Sequence, residues 1–198
     1  MKKLISILLV ALLAFSFAAC SGNGTVGGDH DADKPNNNAA SVNSALDLLN
    51  TVWAGYGDDE KFPSAGGDMS EENMSMEGPG KFSVEDASML DSILGFPAAS
   101  AGKIDDAASL VHMMNANTFT CGAFHVVNAD DVDAVAAEIK DNIMNRQWIC
   151  GFPDKLVIVN VDGYVVAFFG TTDLVDGFSA KLTAAYSSAK TVCDDPIA

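Results

Sequence analysis

Few residues in this 198-residue chain combine a reactive type with a telling position. Cys20 closes an apolar stretch that begins behind Lys2-Lys3, so its thiol sits where an export signal would be cut. Met69, Met74 and Met76 lie close together beside Glu71, Glu72 and Glu77. Thioethers are soft ligands able to hold Cu(I), and methionine is also an adaptable apolar filler. Arg146, the sole arginine, could clamp a carboxylate with its planar fork, or complement a helix C-terminus. His112 and His125 are expected on paired strands either side of a turn at 115–117, facing opposite sides of a sheet and so not sharing a metal. Setting Cys20 aside leaves Cys121, Cys150 and Cys193, an odd number that allows at most one internal disulfide. Cys121 and Cys150 could pair, or all three could be buried free thiols; no Cys-x-x-Cys is present. Walker, Gly-x-Gly-x-x-Gly, Gly-x-Ser-x-Gly and His-Glu-x-x-His motifs are all missing. Asp130-Asp131-Val132-Asp133 lacks calcium-loop spacing and suits the first turn of a helix. No catalytic residue and no cofactor is expected.

Leu4 to Phe17 is apolar except for Ser6 and Ser16, and is followed by the small residues Ala18 and Ala19. That is a short secretory signal rather than a spanning helix. Phe17-Ala18-Ala19-Cys20 resembles a bacterial lipobox, with Phe17 where leucine is usual. The resemblance implies cleavage before Cys20 and a diacylglyceryl group on its sulfur. Residues 1–19 are then a lipoprotein signal peptide, and 20–40, rich in Gly, Asn and Asp, are the lipidated cysteine and a disordered tether. Asp29-His30-Asp31 reads as part of that solvated tether. Acyl chains contribute about 0.8 kcal/mol per buried methylene, which places the protein on the extracytoplasmic face of the cell membrane. Losing Lys2 and Lys3 with the signal leaves 9 Lys and Arg against 27 Asp and Glu, taking the formal charge from −16 to −18. Such a surface excludes nucleic acid and a dock on anionic lipid. It suits a protein or cationic peptide partner.

The elements that would position these residues form one α+β domain over 41–190, with 191–198 as a tail. Helical spacing of Leu46, Leu49, Val52, Trp53 and Tyr56 predicts a helix over 43–56. A long loop, 57–82, follows; it and the neighbouring Trp53, Tyr56 and Phe62 are candidates for a contact surface. Ser83-Val84-Glu85-Asp86 approximates a capping box opening a second helix, with a short helical stretch to Ala107. Strands are expected at 110–114, where a helix over 104–114 competes, and at 119–127, with Gly122 at a bulge, then a helix over 130–147. Leu156–Val161, Asp162-Gly163 and Tyr164–Phe169 predict a type I′ hairpin. A last helix starts at Thr171 or Thr172. Both faces of that hairpin are apolar, so both must be covered; the expected arrangement sets the two C-terminal helices on one face and the two N-terminal helices on the other. Gly-Phe-Pro recurs at 95–97 and 151–153, aligning Leu110 with Leu156, Phe124 with Phe168 and Ile139 with Leu182. This predicts two strand–strand–helix units joined in an antiparallel four-stranded sheet, with added N-terminal helices.

His112-Met113-Met114-Asn115-Ala116-Asn117, the strand through Phe124, and Trp148-Ile149-Cys150-Gly151-Phe152-Pro153 resemble a domain-of-unknown-function family of bacterial lipoproteins, over roughly 105–187 plus the signal. The resemblance implies a lipobox, a tether and a C-terminal domain, with no catalytic motif. The functional expectation is a membrane-anchored, non-enzymatic binding module. The alternatives are a metal carrier, a cryptic enzyme, or an accessory protein for export of a cationic peptide. Cys20→Ala is expected to leave an unprocessed precursor that takes up no labelled palmitate; labelling that survives the change would exclude the anchor.

Overall fold

A computed structural model describes residues 41–149 and 151–197. The expected signal peptide, Cys20, the 20–40 tether and Cys150 lie outside the described residues. In chain order the elements are helix α1 (Ala45–Ala54), short strands β1 (Ser64–Ala65) and β2 (Gly80–Lys81), helix α2 (Ala87–Leu94), strands β3 (Ile104–His112) and β4 (Phe119–Val126), helix α3 (Val132–Met144), strands β5 (Lys155–Val161) and β6 (Tyr164–Gly170), helix α4 (Thr172–Ala185) and strand β7 (Lys190–Pro196). They build a mixed α+β fold around one antiparallel sheet of order β1-β3-β4-β6-β5-β7. β1 and β2 lie end to end on the outer edge of β3, opposite 111–112 and 108–109 respectively.

The central hairpin forms as the turn chemistry predicts. Asp162 and Gly163 both take positive φ, 50° and 92°, the pair that a type I′ turn requires. Alternation then sends Val157, Val159, Val161, Val166 and Phe168 to one face, and Leu156, Ile158, Val165, Ala167 and Phe169 to the other. All ten are buried. On the first face lie α1, through Leu48, Leu49, Val52 and Trp53, and α4, through Val175, Phe178 and Leu182. On the second lie α2, through Leu90 and Leu94, and α3, through Val135, Ile139 and Ile143.

The helices are therefore not sorted as expected. Each face takes one N-terminal and one C-terminal helix. The same fact corrects the duplication. Two copies of one strand–strand–helix unit, set about the central β4–β6 pair, would share a hand and place both helices on one face. Here every aligned pair splits between faces: Leu110 and Leu156, Phe124 and Phe168, Leu182 and Ile139. The units have opposite hands. Nor is the sheet four-stranded, because its two outer edges are occupied. β7 pairs with β5 from Lys155↔Pro196 to Asn160↔Lys190, so residues 191–196 are an edge strand rather than a tail. Its polar sequence hid it: an edge strand needs backbone pairing, and only Cys193 is buried on it.

Other departures have local causes. α2 is capped by Asp86, whose carboxylate accepts from the backbone N–H of Ser88 and Met89, rather than by Ser83. The stretch before Ala107 is a single 3-10 turn, Ala98–Lys103, and β3 begins at Ile104. The aspartates that masked this strand are in use: Asp106 accepts from the Ala45 N–H at 2.7 Å and caps α1, and Asp105 pairs with His125 at 2.5 Å. Gly122 pairs regularly with Ser109; the irregularity in β3 is at Ile104/Asp106. A side chain at Gly122 would collide with the Phe124 ring, 2.4 Å from the ideal Cβ position.

Lys155 joins β5, β7 and α4 through Asp194 at 2.8 Å and Asp176 at 2.7 Å. Ending the chain at Ala189 should lower the urea midpoint substantially, since it unpairs a sheet edge at about 1 kcal/mol per hydrogen bond and removes the Asp194 partner. An unchanged midpoint would return 190–196 to the status of a tail.

Candidate functional site: a methionine loop braced by a buried carboxylate

The segment between α1 and α2 is built around Asp68, which is only 7% exposed. One carboxylate oxygen accepts from the Ser70 N–H at 2.9 Å and the Ser70 hydroxyl at 2.5 Å. The other accepts from the Asn73 side-chain amide at 2.8 Å and the Ser83 N–H at 3.0 Å. Two backbone bonds between Gly66 and Ser75 close the loop, and Gly66 and Gly67 run against β2 and β3. A Cβ on Gly66 would stand 2.3 Å from the Gly80 nitrogen and 2.5 Å from the Ser109 oxygen, so only glycine permits this backbone crossing. Sequence reading registered these glycines as loop punctuation. It missed Asp68, whose only local signal is the Asp-x-Ser turn spacing.

What this frame presents is the methionine cluster. Met69, Met74 and Met76 line one small hollow of about 140 Å³ with Ala65, Asp68, Ile93 and Val111. Their exposures are 79, 48 and 55%, high for large apolar side chains. Ile93 also lines a second hollow, of about 320 Å³, with Asn117, Arg146, Trp148, Ile149 and Phe169. The Asn117 amide holds the Ile149 and Gly151 carbonyls at 3.0 Å, fixing the chain there. Ile149 and Phe152 are strongly exposed, as is Met114 beyond the end of β3. The three methionines proposed from sequence as soft ligands thus do come together, on a rigid loop.

The other sequence candidates are placed differently. Trp53 and Tyr56 are buried and belong to the core of the first face. Phe62 packs half-buried against that core, its ring 5.0 Å from Trp53 and 5.1 Å from Phe119. They brace the loop rather than offer a contact surface: the Trp53 indole N–H donates to the Glu77 carbonyl at 3.3 Å. Burial, then the neighbouring Cys121 and Glu60, push the Tyr56 phenol far above its usual range, removing it from proton transfer near neutrality.

Arg146 donates to the Asp91 carbonyl at 3.1 Å and to that of Ser92. It therefore caps the C-terminus of α2, not of its own helix, and its guanidinium lies 5.6 Å from the Trp148 ring. Arg146 also borders a wider cleft of about 550 Å³ between α2 and α3. Several of its polar groups are engaged: Glu138 with Lys103 at 2.7 Å and Ser100 at 2.5 Å, and Asn142 with Asp91 at 2.9 Å and the Gly95 carbonyl at 3.0 Å; the Asp141 carboxylate also faces the cleft.

His112 stacks on Phe62, and the His125 ring packs tilted against Tyr164 at 4.8 Å; both partners belong to the first face. The histidines therefore share a face, against expectation, because β3 and β4 are joined through a 3-10 turn that brings His112 opposite Phe119. They stand at opposite ends of β4, about 20 Å apart at roughly 3.4 Å per residue. Cys121 and Cys193 are buried in opposite cores and cannot pair. Burial pushes the Cys121 thiol well up, and burial followed by the Asp195 carboxylate pushes Cys193 up to about 12. Neither is a thiolate at neutral pH. Among the described residues, no group of three or more His, Cys, Asp or Glu is arranged to hold a metal ion, and no helix is long and apolar enough to cross a membrane. Compared with protein families, curated proteins and solved structures, the chain matches none, so the resemblance over 105–187 gains no support from them.

Burial pushes the Asp68 carboxyl up, but the Ser70, Asn73 and Ser83 donors together hold it down at about 2, against 3.8 when free. A depressed folded pKa gives stability that is complete above the unfolded value and is lost as pH falls from about 4 to about 2. The difference corresponds to roughly 2 kcal/mol. Asp68→Asn should be less stable than the native chain at pH 7, and urea titrations should show the gap closing by about that amount between pH 5 and pH 2. A gap independent of pH would remove Asp68 from this role.

Proposed function

We propose that this chain is a lipid-anchored extracytoplasmic lipoprotein whose acidic domain binds a protein or peptide partner and catalyses no reaction. The observation that carries the reading is the run of apolar side chains from the exposed Met69, Met74 and Met76 across the half-buried Ile93 to the exposed Ile149. Soluble proteins seldom leave large contiguous apolar patches open to water, and those that do generally bind something there. The strip is held at both ends by hydrogen bonds, from Asp68 under the methionines and from Asn117 to the Ile149 and Gly151 carbonyls, which lowers the ordering entropy that opposes binding. In the cleft between α2 and α3, Glu138, Asn142 and Arg146 are engaged with Ser100, Lys103, Asp91 and backbone carbonyls. The anchor at Cys20 and the tether supply attachment to the membrane, which the net charge would otherwise oppose.

One observation favours a second reading. Three thioethers around one hollow are a donor set suited to Cu(I), which would make the protein a soft-metal carrier. The two readings separate in one experiment on the full chain. Cross-linking in intact membranes followed by affinity capture is expected to recover a partner that is lost when Met69, Met74 and Met76 become Gln and kept when they become Leu. Stoichiometric copper in the purified chain, lost in the Leu variant, would support the carrier instead. A partner recovered equally from native and Gln chains would exclude this surface.

A further inference from the structure

We infer that the occupant of the methionine strip is a cationic amphipathic peptide segment, its apolar side seated on Met69, Met74, Met76 and Ile93 and its basic side facing Glu71, Glu72 and Glu77. This deepens the binding reading above and rests on it.

Three observations converge. First, the seat is shaped for alternating anchors. Two hollows, of about 140 and 320 Å³, adjoin at Ile93. An amphipathic helix presents apolar side chains every three or four residues and can place successive anchors in neighbouring hollows. Second, the lining is adaptable. Methionine side chains are unbranched and polarizable, and adjust to apolar groups of varied shape, while the backbone beneath is fixed by Asp68 and the Gly66–Ser75 bonds. Third, the methionine loop is acidic along its sequence, although Glu72 itself borders a separate hollow with Lys81, Asp105 and Asp106. Glu71 and Glu72 lie between Met69 and Met74 on the same loop, and Glu77 follows Met76. All three are exposed, and none is in an ion pair among the described residues. The cation bordering the second hollow, Arg146, is turned onto the Asp91 and Ser92 carbonyls.

Charge selects among occupants. A second copy of this chain would bring the same glutamates against themselves, and an anionic lipid surface would be repelled. A basic segment gains attraction from the acidic loop. Apolar seating supplies the affinity, and the glutamates supply encounter rate and sign discrimination.

The test uses the full lipidated chain in phosphatidylcholine nanodiscs, with empty nanodiscs as background. The probes are two fluorescein-labelled amphipathic helical peptides of about 15 residues, one of Lys and Leu and one of Glu and Leu. Anisotropy is expected to show saturable binding of the Lys/Leu peptide and none of the Glu/Leu peptide. Raising NaCl from roughly 50 to 500 mM should weaken binding through screening. Changing Met69, Met74 and Met76 to Gln should weaken it about tenfold or more, while Leu at the same positions retains it. Circular dichroism and urea midpoints matching the native chain verify folding, and Glu71, Glu72 and Glu77 changed to Gln form a second variant at exposed positions, expected to reduce the salt dependence. Equal binding of both peptides, loss of binding in the folded Leu variant, or native affinity in the Gln methionine variant would each overturn the inference. Capture of a membrane partner by the native chain without any affinity for the Lys/Leu peptide would overturn this inference and leave the binding reading standing. Failure of both would overturn both.

Discussion

The strands at the centre of this sheet are apolar on both faces. Val157, Val159, Val166 and Phe168 cannot meet water on one side, nor can Leu156, Ile158, Val165 and Phe169 on the other. Helices must cover both faces. α1 with α4 takes one and α2 with α3 takes the other, and both layers close fully enough to bury the large side chains below them. A sheet covered in this way offers no open face for a ligand. Binding chemistry is displaced to the edges and the connecting loops, where backbone remains near the surface and side chains are not needed for the core.

The longest connection uses that freedom in a particular way. Between α1 and α2 the chain runs along the outer edge of β3 as β1 and β2, protecting an edge that would otherwise be open to pairing with another chain. Between these two strands it rises into the methionine loop. A loop presenting three exposed thioethers would lose binding energy to ordering if it were slack. Here a buried carboxylate with four donors, a glycine backbone crossing and the Trp53–Glu77 bond fix it from below. The aromatic chain Tyr56–Trp53–Phe62–His112 links that bracing to the first-face core. The buried support and the exposed apolar side chains are thus carried by different residues of one segment.

The sequence singled out methionines that the fold leaves exposed and aromatics that it buries. The difference is physical. Met69, Met74 and Met76 are close in the chain, so a tight loop keeps them close in space. Trp53 belongs to a helix whose rotation is set by what it packs against, Tyr56 follows just beyond that helix's end, and packing on the first face buries both. Ile93, Trp148 and Ile149 complete the strip from elements far apart in sequence, and nothing local marks them as neighbours of the loop. Asp68 escaped notice for a related reason: two of its four hydrogen bonds come from Asn73 and Ser83, and neither partner is fixed by sequence spacing alone.

By itself the sequence determined what depends on neighbours along the chain. It set the α1 stripe, the Asp162-Gly163 hairpin and which side chain lies on which face of β5 and β6, because alternation and turn geometry are local rules. It also set the charge, and with it the classes of partner that electrostatics opposes. Tertiary structure alone decided which helix covers which face, the opposite hands of the two strand–strand–helix units, the pairing of a polar C-terminal segment onto β5, and the use of Arg146 at the end of another helix. Each of these depends on contacts between segments distant in the chain, where many pairings satisfy the same local pattern and only simultaneous burial of both sheet faces selects one.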